Sequence, residues 1–591
     1  MSTASIHEEE KLGVIFEPHL IKRLLRYVRP YGWKVVVSVV LLLAAAGLEQ
    51  VGPWLTKIAV DQHMVKGDYP GLVKVVILFG AAYLLLSLIR IAQTFLTGWV
   101  GESVIFDLRK ELFTHVQNQS LRFFDRNPVG RLVTRLTSDV QTLSEIFTSG
   151  IVVFFGDIFT LIGIIVAMLL LNVKLAIVAF LMVPLMVSIT FIFKNRLRDA
   201  FRNVRLKTAA INSFLQEHLS GIRIVQLFNH QKHTEQAFAD VNRDFRSANL
   251  DTVKLFSAFF PLLELVSALA VASIILRGGF LSLEGALTVG VLIAFLQYTE
   301  RFFRPIRDLA EKWNIFQSGM ASAERVFKLL DTPPQIIDTE DAGCCEQVKG
   351  KIEFKDVHFS YDGNEDVLRG VSFKIKPGQT VAIVGATGAG KSTIINLIGR
   401  FYDVVSGEVR IDGKDVRDWK RDLLLQHIAF VHQDVFLFSG TVRENIALLD
   451  EYDDEVVINA AKTVHADRFI RELPKGYDEP VTERGSTFSS GQRQLLSFAR
   501  ALVRDPKILV LDEATSSVDP ETEWLIQDAM EKLKKGRTSI IVAHRLSTVI
   551  KADKILVMHK GRLREQGTHE ELIAEKGIYW RLFQTQYRRV S

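Results

Sequence analysis

Six apolar runs in the first half of the chain constrain its fold more than any other feature. A run of about 20 residues, rising about 1.5 Å per residue as a helix, crosses a hydrocarbon core about 30 Å thick. The runs fall near 33–60, 71–98, 145–171, 173–194, 255–278 and 286–304, and each is read as a membrane-spanning helix. Only Asn172 and its neighbours divide the third from the fourth, which predicts a tight hairpin. The chain is 48% hydrophobic yet 24% charged, which suits a membrane part joined to a soluble part. Its 591 residues also exceed what one core organises.

Orientation follows from the lysines and arginines of the connecting segments. Lys22, Arg23, Arg26 and Arg29 precede the first run. Arg109, Lys110, Arg122, Arg126, Arg131 and Arg135 lie between the second and third, and Lys194, Arg196, Arg198, Arg202, Arg205 and Lys207 between the fourth and fifth. The other connections are nearly free of cations, so both termini and the two long segments are expected on the cytoplasmic side. Residues 18–29 (PHLIKRLLRYVR) space Leu and Tyr against Lys and Arg as an amphipathic helix on the inner face does. Residues 1–17 carry Glu8, Glu9 and Glu10 and no apolar core before a cleavage site, so no secretory leader is expected.

The helical pattern continues through 99–144 and 195–254, well past a bilayer, with breaks at RFFDRNPVGRL (122–132) and EHLSGIRIVQLF (217–228). Pro128, Gly130 and Gly221 are the punctuating residues. Long helices that leave the membrane and turn are suited to carrying movement to something below. Polar residues within the runs are functional candidates by position: Glu49, Arg90, Asp157, Glu264 and Glu300, with Glu264 foremost because it lies near the middle of the fifth. A net charge of +5 without a concentrated basic patch does not point to nucleic acid. The two cysteines, Cys344 and Cys345, are adjacent and have neither disulfide nor metal spacing.

Residues 331–350 (DTPPQIIDTEDAGCCEQVKG) lack apolar periodicity and mark a boundary. The expected organisation is an N-terminal cytoplasmic segment with its amphipathic helix (1–30), a six-helix membrane domain (31–330), the linker (331–350) and an α/β domain (351–591). In the last part, β-branched runs alternate with helical stretches, as in a parallel sheet.

The strand VAIV leads into GATGAGKST: Gly385, Ala386, Thr387, Gly388, Ala389, Gly390, Lys391, Ser392 and Thr393. This is G-x-x-x-x-G-K-[ST] between a strand and a helix, the context that gives the pattern its meaning. The glycines let backbone N–H groups turn onto phosphate oxygens. Lys391 reaches the terminal phosphates, and Ser392 offers a hydroxyl to Mg²⁺. ILVLDEAT (508–515) ends a buried strand in two carboxylates. Asp512 is placed to hold Mg²⁺, directly or through water, and Glu513 to polarise the attacking water. His544 ends the next strand, within reach of a terminal phosphate.

With TFSSGQRQLL (487–496), GATGAGKST and ILVLDEATSSVD in one domain, the chain resembles ATP-binding cassette (ABC) transporters over essentially its whole length. Its first half resembles the exporter type found in bacterial multidrug exporters and lipid flippases. The resemblance implies roles residue by residue. Tyr361 matches the aromatic that stacks on adenine. Gln433 matches the glutamine near Mg²⁺ and the coupling helices. Glu483 matches the exporter loop before the signature, Asp519 the loop after the second carboxylate, and His544 the switch histidine. Ser489, Ser490, Gly491 and Gln492 match the signature, which completes the ATP site of the opposite cassette from a helix N-terminus. Serine at 490 replaces the family's glycine, and Phe488 its leucine.

The implied molecule is a bacterial half-transporter of the cytoplasmic membrane that uses ATP and Mg²⁺ and dimerises. Its partner is a second copy, or a different chain if Ser490 marks a weakened signature. The expected activity is ATP-driven export of amphipathic small molecules by alternating access. A lipid or lipid-conjugate flippase is the alternative on the same scaffold, and the in-span acids favour cationic or neutral cargo. An ATP-gated channel would need a degraded catalytic site, which Glu513, Gln433 and His544 argue against. A peptide-processing exporter would carry a peptidase domain ahead of the first run.

Overall fold

Backbone polar groups in hydrocarbon must be satisfied within their own segment, and the first half of the chain meets this with long helices. A computed structural model describes residues 18–338, 348–448, 450–512, 520–543 and 546–587. They form two units. One comprises the residues up to His115 together with Gly130–Thr332, and the other comprises Val116–Val129 together with the residues from Pro333 onward.

The helices of the first half are α1 (Pro18–Val28), α2 (Gly32–Ile58), α3 (Tyr69–Gln117), α4 (Leu121–Arg126), α5 (Val129–Thr134), α6 (Val140–Glu145), α7 (Ile151–Leu171), α8 (Val173–Phe180), α9 (Val183–Ser220), α10 (Ile222–Leu227), α11 (Gln231–Leu283) and α12 (Val289–Leu330). Among the described residues, five segments are long and apolar enough to cross a membrane: Pro18–Met64, Tyr69–Gln117, Phe154–Leu171, Val173–Ser220 and Gln231–Leu283. The sixth expected crossing, α12, is not among them. It opens on the apolar Val289–Leu296, but Gln297, Glu300 and Arg301 follow within the next turns. Helices in the membrane unit pack through Ile164, Met168, Leu175, Ala270, Ile274, Phe295 and Tyr298, while Leu84, Ile91 and Phe95 are exposed.

The helix ends follow from local chemistry. Asn172 caps α8 by accepting from the Leu175 N–H at 3.1 Å, making the short turn after α7. The chain breaks at Gln119–Ser120 and again at Asn127–Pro128, where proline disfavours helix in the residue before it. Gly130 lies inside α5 and breaks nothing, whereas Gly221 ends α9. The amphipathic helix α1 buries Leu20 and Leu24. It is pinned by Arg23 to Asp331 at 2.6 Å and by the Tyr27 hydroxyl, which donates to Glu111 at 2.7 Å.

The second unit is α/β. Its strands are β1 (Ile352–Phe359), β2 (Leu368–Ile375), β3 (Thr380–Gly385), β4 (Ser406–Ile411), β5 (Lys414–Asp415), β6 (Ile428–Val431), β7 (Gly440–Thr441), β8 (Pro480–Val481), β9 (Ile508–Asp512), β10 (Thr538–Val542), β11 (Lys554–His559) and β12 (Arg562–Gly567). The main sheet has the order β12-β11-β3-β10-β9-β6, parallel except for the edge strand β12. The interior of β3 and the whole of β10 are buried on both faces, as the β-branched runs require. An antiparallel sheet, β2-β1-β4-β5, stands beside it. Helices α13 (Lys391–Ile398), α14 (Arg421–Gln426), α15 (Val442–Ala447), α16 (Asp454–Thr463), α17 (Ala466–Glu472), α18 (Ser490–Val503), α19 (Pro520–Lys534), α20 (Leu546–Ile550), α21 (His569–Ala574) and α22 (Ile578–Tyr587) complete the unit.

Candidate functional site

Parallel strands end on one side of a sheet, and ligands of such sheets bind at that side. Here β3, β9 and β10 end together: Val542 pairs with Ile383 on one flank and with Asp512 on the other. β3 passes through Gly385 into the loop. A Cβ at Gly385 would stand 2.3 Å from the Met558 carbonyl oxygen, so only glycine fits there. Gly390 (φ +98°) caps α13, and a Cβ on it would meet the Leu368 side chain at 2.6 Å. Between them Ala386, Thr387 and Gly388 are exposed and Ala389 is buried. The loop therefore presents backbone, not side chains, at the N-terminus of an eight-residue helix.

Lys391 folds back over this loop. Its Nζ donates to the carbonyls of Gly385 at 2.8 Å and Ala386 at 3.1 Å. Burial pulls its ammonium below the usual lysine range, against the opposing pull of the Asp512 charge. Among the described residues no carboxylate pairs with it. A buried cation aimed at a backbone cradle, with no counter-ion among the described residues, fits a polyphosphate. Ser392 is exposed in the first turn of α13, and Asp512 is half-buried at the end of β9. A hydroxyl and a carboxylate are hard oxygen donors suited to Mg²⁺ alongside phosphate oxygens.

The Tyr361 hydroxyl shares a hydrogen bond with Thr393 Oγ1 at 3.1 Å, so this ring stands at the same loop. Gln433 is exposed two residues beyond the edge strand β6, at the same end of the sheet. Glu483 opens a short 3-10 turn, Glu483–Gly485, in which Arg484 has φ +58°. Glu513, Asp519 and His544 lie outside the described residues, as do Cys344 and Cys345.

Ser489 to Gln492 open α18, which packs on α16 and α17. Ser489 and Gln492 form a reciprocal capping box: Ser489 Oγ accepts from the Gln492 N–H, and Gln492 Oε1 accepts from the Ser489 N–H at 3.0 Å. Ser490 is the first helical residue and is not among the non-glycine residues with positive φ. Its backbone therefore needs no glycine. Phe488 is buried and meets Phe469 edge-on.

Two clamps join residues that the sequence does not pair, although Glu49 and Arg90 stand among its in-span polar candidates. Arg500 of α18 donates to the carbonyls of Asn445 at 2.8 Å and Phe436 at 3.1 Å, and Asn445 in turn brackets Phe438 at 2.8 Å. Burial lowers the Arg500 pKa to about 10, so the cation is retained at neutral pH and is held by carbonyls. In the membrane unit Glu49 pairs with Arg90, and the Glu49 carbonyl accepts from Arg301 at 2.8 Å. Arg301 also donates to the Tyr83 hydroxyl at 2.8 Å. Glu264 and Glu300 are exposed on α11 and α12.

Fold and loop together define a P-loop nucleotide-binding domain fused to a helical membrane domain. The profile of the ABC transporter transmembrane region matches residues 35–306, and the profile described as ABC transporter matches 368–516. The chain is 39% identical over 568 residues to YknV of Bacillus subtilis, an uncharacterized ABC transporter ATP-binding protein, covering 96% of this chain and 94% of that one. It is 36% identical over 570 residues to an ATP-dependent lipid A-core flippase of Syntrophus aciditrophicus, covering 96% and 95%. It is 37% identical over 577 residues, covering 96% and 100%, to a protein of Staphylococcus aureus that its name assigns provisionally to multidrug export. The chain belongs to the ABC transporter family, as a membrane protein that binds ATP and couples its hydrolysis to transport.

Proposed function

We propose that the chain is one half of a dimeric exporter that moves amphipathic small molecules, cationic or neutral, out across the cytoplasmic membrane. The observation that carries the reading is the joining, in one chain, of a phosphate cradle under Lys391 to helices whose apolar windows are only 11–22% buried. Such faces require lipid or a partner around them. Six spans, with α12 as the sixth, put both termini and the cassette in the cytoplasm, as the lysine and arginine distribution supports.

In this reading Tyr361 stacks on adenine, and Gly385 to Thr393 wrap the phosphates. Ser392, Asp512 and Gln433 hold Mg²⁺, which neutralises phosphate charge when bound. Ser489, Ser490, Gly491 and Gln492 reach the terminal phosphate bound by the other cassette, from the N-terminus of α18. Glu513 polarises the attacking water, and His544 contacts the terminal phosphate. Closure of two cassettes on ATP favours one membrane conformation over the other by differential affinity, and hydrolysis resets it. The exposed Glu264 midway along the fifth apolar run favours a cationic group on the cargo.

The test is uptake of a cationic amphipathic dye into inside-out proteoliposomes. ATP-dependent uptake, absent in Lys391→Ala, supports the reading. Uptake that never depends on ATP, or ATP-dependent flipping of headgroup-labelled lipid with no dye uptake, overturns the cargo assignment.

A further inference from the structure

The cassette unit contains a stretch drawn from the first half of the sequence, Val116–Val129. Its short helix α4 is tied to the cassette at two points. The Tyr402 hydroxyl donates to Asp125 Oδ2 at 2.5 Å, across 277 residues of sequence. The Arg126 guanidinium lies 3.9 Å from Asp362. The second contact is long and exposed on both sides, and pairs of that kind contribute little. The first is short, and its donor Tyr402 is only 8% exposed. Burial first, and then this bond, hold the Tyr402 phenol well above the usual tyrosine range.

Both ties converge on Tyr361. Asp362 is the next residue. The Tyr402 ring meets the Tyr361 ring edge-on, with centroids 5.1 Å apart and planes at 89°. Phe359 closes the group, edge-on to Tyr361 at 4.8 Å and to Tyr402 at 5.7 Å. The far end of Tyr361 is bonded to Thr393 in the first turn of α13. A ring that stacks on a base must hold one plane, and Tyr361 is only half-buried. Its orientation is set by the edges of two neighbours, and the orientation of Tyr402 is set in turn by the carboxylate of α4.

We propose that Asp125 and Tyr402 are positioning residues for the Tyr361 ring, so that ATP affinity depends on α4 remaining seated on the cassette. The proposal rests on the assignment of adenine to Tyr361 under the proposed function. A pre-set ring binds adenine without ordering cost, and loss of the Asp125 bond restores that cost. The coupling is reciprocal: adenine on Tyr361 favours the seated state of α4 by the factor that seating adds to ATP affinity.

The experiment uses the full chain in lipid nanodiscs and measures ATPase rate against ATP concentration for Asp125→Asn, Tyr402→Phe, the double variant and Tyr361→Ala. Each single change is expected to raise KM for ATP about five- to tenfold and to leave kcat within about twofold. The double variant is expected to match the singles, because both changes cut one link. Inhibition by inorganic tripolyphosphate, which carries phosphates and no adenine, stays unchanged, whereas general damage to the loop would weaken it. An unchanged KM in both single variants, with a raised KM in Tyr361→Ala, overturns the proposal and leaves the adenine assignment standing. An unchanged KM in Tyr361→Ala overturns the assignment and the proposal with it. Weakened tripolyphosphate inhibition in step with KM also overturns the proposal.

Discussion

Lys391 is held over its loop by two carbonyls, which a triphosphate outcompetes because its oxygens carry negative charge and the carbonyl oxygens do not. Lys391→Ala is expected to lower ATPase activity by at least about 100-fold, a loss of the order assigned to one electrostatic contact in a transition state. Weakened binding of a fluorescent ATP analogue checks the cause. Ser490 carries the opposite expectation. Its backbone is not left-handed and the Ser489–Gln492 box around it is closed, so Ser490→Gly is expected to change turnover by less than about threefold. A tenfold or greater gain in that variant would mean the serine weakens the site. Lys391 stood out in the sequence because a phosphate loop is a local pattern, whereas Ser490 entered through the resemblance of its stretch to the family signature. The tie between Tyr402 and Asp125 was not legible there, because it spans 277 residues, although Asp125 lies in the RFFDRNPVGRL stretch that the sequence singles out as a helix break.

Helix breaks at Asn127–Pro128 and at Gly221 were readable because proline and helix-end chemistry act within a turn. The role of Gly130 was not, since a glycine inside a helix costs little where neighbouring turns hold it. The six apolar runs were counted by composition, and α12 falls outside the five found among the described residues, with Gln297, Glu300 and Arg301 in its third and fourth turns. Arg301 shows what such residues do, since it ties α12 to the Glu49 carbonyl of α2 and the Tyr83 hydroxyl of α3. The Glu49–Arg90 pair joins α2 to α3 in the same region. Removing one charge leaves the other in an apolar setting without a partner, so Glu49→Gln is expected to destabilise the membrane unit by about 2–4 kcal/mol. Glu49→Gln with Arg90→Gln should recover at least half of that loss in thermal unfolding in detergent. Additive losses would show that the two side chains do not act as a pair. In the cassette, Arg500→Ala strands the Asn445 and Phe436 carbonyls and is expected to cost about 2–3 kcal/mol. The measurement is the denaturant midpoint of the full chain, and an unchanged midpoint would mean water satisfies those carbonyls.

Two apolar surfaces bear on how many chains the working molecule contains. At the tip of the second long extension, Ile224, Leu227 and Phe228 are 63%, 81% and 75% exposed. On the cassette, Phe436 and Phe438 are 51% and 59% exposed, held out by the Asn445–Arg500 clamp. Neither surface belongs in water, and a partner chain offering the same pair of surfaces could cover both. The signature stretch leads to the same expectation, since Ser489 opens a helix whose N-terminus has anion-binding character. If a second copy is the partner, Glu513→Gln should abolish turnover and, with ATP present, shift the purified chain towards dimer in mass measurements, because binding to the closed form alone stabilises it by mass action. Leu227→Asp should oppose that shift without weakening ATP binding to the single chain. A wild-type chain that stays monomeric with ATP would remove the homodimer, whereas one that dimerises and turns over with Glu513→Gln as fast as without it would leave the homodimer standing. The first result would direct the search to a different chain whose signature faces this Lys391 and whose phosphate loop receives Ser490. The second would instead remove the assignment of the base.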